Sequence, residues 1–135
     1  MRLDLKLLQN NDLGLLLLRL SVGGLMLFHG VNKLIYGVGF IGGMLESMGL
    51  PSFIAYGALL AELVASLMIV IGFYTRWAAI VFACNMAVAI LMAHAAQIFS
   101  LDPMTGGWAI ELPMLYLLGA AALIFTGAGK YSVNE

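Results

Sequence analysis

The sequence predicts an all-α protein, a four-helix transmembrane bundle of up-down topology with both termini in the cytoplasm. Three observations lead there. Hydrophobic residues make up 63% of the chain and charged ones only 10%, and the mean hydropathy is +1.04; a soluble domain is about half apolar and a quarter charged. Residues 77–101 and 112–129 contain no Asp, Glu, Lys or Arg, and residues 51–75 carry Glu62 alone. A hydrocarbon core about 30 Å thick takes roughly 20 apolar residues of helix, so each stretch has the length of a crossing. Turn-forming residues then separate the stretches, with a Gly-rich run at 37–50, SLDPMTGG at 100–107 and GAGK at 127–130.

The elements follow in order within one membrane domain, 1–135. Arg2 and Lys6 precede an apolar run that continues past the length of a signal-peptide core and meets no small-residue cleavage site, so the first span is expected to stay as an anchor. Asp12 is placed to cap a helix over 12–36, which carries Arg19, His29 and Lys33. The segment IGGMLESM reads as an interfacial stretch and not as a crossing. Pro51 starts span two, 51–73, and Thr75 starts span three, 75–99, after a turn short enough to make the two antiparallel neighbours. Span four, 108–126, ends at glycines that stop the helix. Arg2, Lys6, Arg76 and Lys130 fall on one side of the membrane against Lys33 on the other, which places both termini in the cytoplasm. Trp77 and Trp108 fall at span ends, where indoles favour the interfaces.

Composition also removes several functions. A net charge of −1 without a basic cluster argues against nucleic acid as a partner. The single cysteine, Cys84, makes no internal disulfide, CxxC pair or multi-cysteine metal site, and reads as a small packing residue. No HxxxH, HExxH or ExxH spacing puts two metal ligands on one helix, so no metal is expected. No glycine-rich loop after a strand supports a nucleotide or flavin fold.

The polar residues within the spans carry what remains. An ionisable group at the bilayer centre costs about 2.5 to 3.5 kcal/mol on insertion scales, so Glu62 needs a partner. In an up-down bundle the end of span one, the start of span two, the end of span three and the start of span four share one leaflet, and His29, Lys33, His94 and Glu111 all belong to that half. His29 and Lys33 share a helix face at i, i+4, with Arg19 near the same stripe. Glu62 lies among Ala58, Ala65 and Ser66, small residues that let a helix approach. Asn85 falls on the face opposite His94 and reads as a separate feature. The expectation is a polar pocket of Glu62, His29, Lys33, His94 and Glu111, with Arg19 deeper along span one. Each residue also has a packing role: snorkelling for Arg19 and Lys33, a helix-start carboxylate for Glu111, and a buried Glu to Arg or Lys pair that fixes helix order for Glu62.

As a set these residues resemble the DoxX family, small four-span proteins of bacterial and archaeal membranes. The resemblance runs over 15–133 and rests on LLRLSVGGLMLFHGVNKL, GALLAELVASLMIVIGFYTRWAA, His94, and E.P.LYLLGAAALIFTGAGKYSV. It implies a multi-pass protein of the inner (cytoplasmic) membrane and a membrane subunit tied to redox chemistry, since the family is named for a subunit of thiosulfate:quinone oxidoreductase and others accompany oxidoreductases of thiol and oxidative-stress defence. The matching positions are Arg19, His29, Lys33, Glu62, Arg76, His94 and Glu111, with Gly127, Gly129 and Tyr131 after the last helix. Beside this redox link, a polar pocket with two imidazoles and two carboxylates suits a quinone carbonyl and its protons, so quinone is the cofactor expected, with His29, His94 and Glu62 as its contacts. The partners implied are the lipid bilayer, membrane or soluble redox subunits and further copies of the chain. Without paired cysteines or a soluble redox domain, thiol exchange is not expected within the bundle and any electron donor is another chain. The alternative is a non-enzymatic scaffold or assembly partner whose buried charges set helix order.

Overall fold

The computed structural model describes residues 8–134; Arg2 and Lys6, which weigh in the orientation argument, lie outside them. Over these residues the chain is helical, with one isolated antiparallel bridge between Leu101 and Trp108. Helix α1 is Asn11–Tyr36. Its cap is Asn10, whose side chain accepts from the Leu13 N–H at 3.0 Å, and not Asp12, which accepts instead from the Lys130 N–H at 3.0 Å. A short helix α2, Gly39–Ser47, buries Gly42 and Leu45 against the start of the next helix and leaves Phe40 exposed. Then come α3, Ser52–Ile71, α4, Thr75–Ala93, and α5, Glu111–Thr126. The helices α1, α3 and α4 are long and apolar enough to cross a membrane. At 16 residues, α5 covers about 24 Å at 1.5 Å per residue.

Pairs of residues fix the arrangement. Gly23 faces Ser66 and Gly30 faces Glu62, so α1 and α3 run antiparallel. Val22 faces Gly119, while Leu15 faces Gly129, which sets α5 antiparallel to α1. Arg76 lies over Gly127 and the Phe82 ring meets Tyr116, so α5 is antiparallel to α4 as well. The four long helices therefore close a ring around a core of Val22, Met26, Ala65, Ile69, Ala79, Phe82, Met86, Tyr116, Ala120 and Leu123. Leu25, Leu60, Val64, Leu67, Val81, Val88, Leu115, Leu118 and Phe125 face outward, exposed. Apolar side chains on both faces suit a helix with lipid on one side and protein on the other.

Close approach explains two of the glycines. A Cβ on Gly23 would lie 2.7 Å from the Ser66 backbone oxygen, and one on Gly30 would lie 2.8 Å from Leu63 Cδ2 and 3.0 Å from the Glu62 oxygen. Each helix of this pair also widens for about a turn into π-type geometry, Leu20–Gly24 in α1 and Ala61–Ala65 in α3. Such turns insert a residue into the helical ladder and recur at functional sites; the second one carries Glu62.

The bundle ends are tied differently. At the end holding Asn11, Ile71 and Thr126, the tail lies along the turn from α3 to α4: Val133 donates to the Ile71 oxygen at 3.1 Å, Asn134 to Gly72 at 3.0 Å, and the Asn134 side chain accepts from Tyr74 at 2.8 Å. At the opposite end α4 stops at Ala93 and not at 99, and α5 starts at Glu111 and not at 108. Residues between them fold as a small hairpin, with Asp102 donating to Gly107 at 2.7 Å and Ala109 to Ser100 at 3.0 Å. Trp108 belongs to this hairpin, its Nε1 donating to the Ile98 oxygen at 2.6 Å. Its indole N–H finds a carbonyl there instead of marking a helix start.

Candidate functional site

Lys33 and Glu62 meet across α1 and α3, with Nζ 2.6 Å from Oε2. Gly30 makes this meeting possible, since the bare backbone one turn before Lys33 lets the wide turn of α3 come against α1. The pair lies at the hairpin end of the bundle, and two spaces adjoin it. One is a cleft of about 190 Å³ lined by Met26, His29, Glu62, Met86, Ala89, His94, Leu112, Pro113 and Tyr116. The other is a chamber of about 260 Å³ lined by Lys33, Phe40, Ile41, Met44, Ala58, Glu62, Asn85, Val88, Ala89, Met92 and Ala93. Glu62 and Ala89 border both.

Helix packing opens the cleft. The contacts of α5 with α1 are few beside those with α4 and fall mainly on residues Asn11–Gly24, where Gly119 lets Val22 against it. Towards the hairpin the two helices part, and the ring of His29 reaches Tyr116 edge-on at a centroid distance of 6.1 Å. An exposed His29 and a buried Tyr116 thus flank an opening between α1 and α5.

The residues singled out from the sequence divide by place. His29, Glu62 and His94 line one cleft, and Lys33 is bonded to Glu62. His94 follows the last residue of α4 and its Nδ1 is 2.9 Å from Gln97 Oε1. Glu111 is exposed outside the cleft lining, its Oε2 directed to Gly107 at the base of the hairpin. Arg19 sits fully buried at the other end. Its Nη1 donates to the Ile69 and Val70 oxygens at 3.4 and 3.2 Å, and its Nη2 to the Tyr131 oxygen. Arg19 is therefore a cap on the C-terminus of α3, where cations are favoured by the helix dipole, and not part of the pocket.

Two residues were not among those expected. Asn85 borders the chamber with Lys33 and Glu62, whereas His94 borders the cleft, so the two stay apart while Asn85 comes beside the ion pair. Tyr116 is buried in the middle of α5, and a phenol inside an otherwise apolar span is the signal that marks it, since its hydroxyl needs a polar neighbour. Among the described residues, no three His, Cys, Asp or Glu side chains gather in a way that could hold a metal. The cleft offers instead two imidazoles, a carboxylate and a phenol on apolar walls. Such a surface can hydrogen-bond a polar ring substituent and exchange protons with it.

Comparisons with known proteins show the family of the chain. The family model described as DoxX matches residues 14–95, which take in Arg19, His29, Lys33, Glu62 and His94, while Glu111 and Tyr116 lie beyond the match. An uncharacterized protein of Haemophilus influenzae is 32% identical over 120 residues, covering 87% of this chain and 86% of that protein. No solved structure matches. The chain belongs to the DoxX family.

Proposed function

We propose that the chain is a four-span protein of the inner membrane, with both termini in the cytoplasm, and that it receives the head group of a quinone in the cleft between α1 and α5. The observation that carries the reading is the convergence of His29, Glu62, His94 and Tyr116 on one space that opens sideways between two helices. A pocket for a whole drug-sized molecule measures roughly 300 to 1,000 Å³; about 190 Å³ suits a ring, with the isoprenoid tail left among lipid chains. Donors fit both carbonyl oxygens of such a ring: an imidazole from either side and the Tyr116 hydroxyl. A bound quinone supplies two-electron, two-proton redox chemistry. The protein's share is to orient the ring, exclude bulk water and hold protons on His29, His94 and Glu62.

Treating α5 as a crossing rests on its packing along α4 and on buried Ile110 and Ala128, which extend the interior beyond both helix ends. The electron donor in this reading is another membrane or soluble redox chain, and further copies of this chain are compatible with the outward apolar faces.

The scaffold alternative has one observation in its favour. Lys33 and Glu62 satisfy each other at 2.6 Å, as a pair that fixes helix order would. Extraction of lipid-soluble molecules from the purified protein separates the two. The quinone reading expects bound quinone in the wild type and a several-fold loss in Glu62→Gln and His94→Ala; equal content near zero in all three leaves only the scaffold.

A further inference from the structure

A third space meets the ion pair from outside. Phe28, His29, Asn32 and Lys33 line a groove of about 360 Å³ on the free side of α1. It shares His29 with the cleft and Lys33 with the chamber, and Glu62 borders both of those. The groove occupies the last two turns of α1. Lys33 stands about 5 Å and His29 about 10 Å from the helix end at Tyr36, at 1.5 Å per residue.

Three of the four lining side chains are an imidazole, an amide and an ammonium, on a face that the bundle leaves uncovered. Among the described residues, none makes a hydrogen bond to the His29 ring or the Asn32 amide. Hydrocarbon against this face would leave those groups unsatisfied at a cost of several kcal/mol, whereas water satisfies them. The ion pair behind the groove is not sealed either, with the side chains of Lys33 and Glu62 24% and 11% exposed.

We propose that this groove is a water-filled mouth through which Glu62 exchanges its proton with the aqueous phase at the hairpin end. The groups facing Glu62 are Lys33 and His29 from α1, Asn85 from α4, His94 just beyond it and Tyr116 from α5. In the step, hydronium in the groove gives a proton to one ring nitrogen of His29, which borders both the groove and the cleft, as the other nitrogen passes one to the Glu62 carboxylate; in the reverse step the carboxyl O–H bond breaks and the proton returns to water. The carboxylate left behind accepts from the Lys33 ammonium, which keeps its protons. No electron moves, so the exchange does not depend on the quinone reading and survives its failure.

The test uses the full-length protein in proteoliposomes, with Cys84, exposed on α4, replaced by serine. Asn32→Cys is compared with Met104→Cys, 93% exposed on the hairpin, and Leu67→Cys, 52% exposed on the apolar flank of α3. A charged, membrane-impermeant methanethiosulfonate reacts only with hydrated thiolate, so Asn32→Cys should react within about tenfold of Met104→Cys and well over tenfold faster than Leu67→Cys. A rate as slow as that of Leu67→Cys overturns the proposal. A second measurement needs no introduced cysteine. A water-soluble carbodiimide with an amine, read by peptide mass spectrometry, should modify Glu62 and be slowed several-fold by Asn32→Leu. Complete labelling of the exposed Glu111 beside an unmodified Glu62 overturns the proposal equally.

Discussion

Arg19 carries a charge into the interior, and among the described residues its partners are three backbone oxygens. Two belong to the last turn of α3 and the third to the tail, so a single side chain closes a helix end and pins a segment 112 residues further along. Gly72 makes room for the guanidinium; its φ of +74 and the atoms of Arg19 and Ser132 against it leave no space for a Cβ. Replacing Arg19 by Met strands these buried acceptors, which should cost at least about 2 kcal/mol of stability. Lys, a point charge on a flexible stem, should recover only part of it because it cannot fork to three oxygens. Thermal unfolding in detergent measures both, and an Arg19→Met protein as stable as wild type contradicts the capping role. This role was not legible in the sequence, which shows a charge near a span centre but not which carbonyls lie beside it. Lys33 and Glu62 were half legible: the sequence puts them in reach, while the choice of Lys33 over Arg19 as the partner of Glu62 depends on Gly30 and the wide turn of α3.

Among the elements, α1 and α3 are joined by shape and not by side-chain volume. Gly23 lies against the Ser66 carbonyl, whereas a Cβ on Gly24, the next residue, meets nothing within 4 Å. Gly23→Ala should therefore destabilise by about 1 to 3 kcal/mol through overpacking against backbone, and Gly24→Ala should stabilise by up to about 1 kcal/mol as a helical glycine removed. Equal effects from these adjacent substitutions would deny that the helices touch as described. The long helices were readable from uncharged stretches and turn residues, and the segment of α2 as an interfacial stretch. The ends of α4 and α5 were not. Hydropathy does not separate a helix end from an apolar hairpin, and residues 94–110 contain Ile98, Phe99, Leu101 and Trp108 among their turn formers.

For the whole molecule the two ends do opposite things. At the tail end, Arg19, Asp12 and the backbone of residues 130–134 lock α1, α3 and the last segment together. At the hairpin end α1 and α5 separate, and the polar residues collect where they do. The sequence places His29, Lys33, His94 and Glu111 in one half because an up-down order requires it, with Glu62 near the midplane, but which of them share a space follows from where α5 leaves α1. That separation is the basis for a ligand entering sideways from the membrane. Photolabelling with an azido-quinone in native membranes, mapped by peptide mass spectrometry, tests it most directly. Label on Met86, Leu112 or Tyr116, displaced by excess unlabelled quinone, is the result expected of a head group seated in the cleft. Label spread over outward residues such as Leu118 and Phe125, and undiminished by competitor, would contradict it.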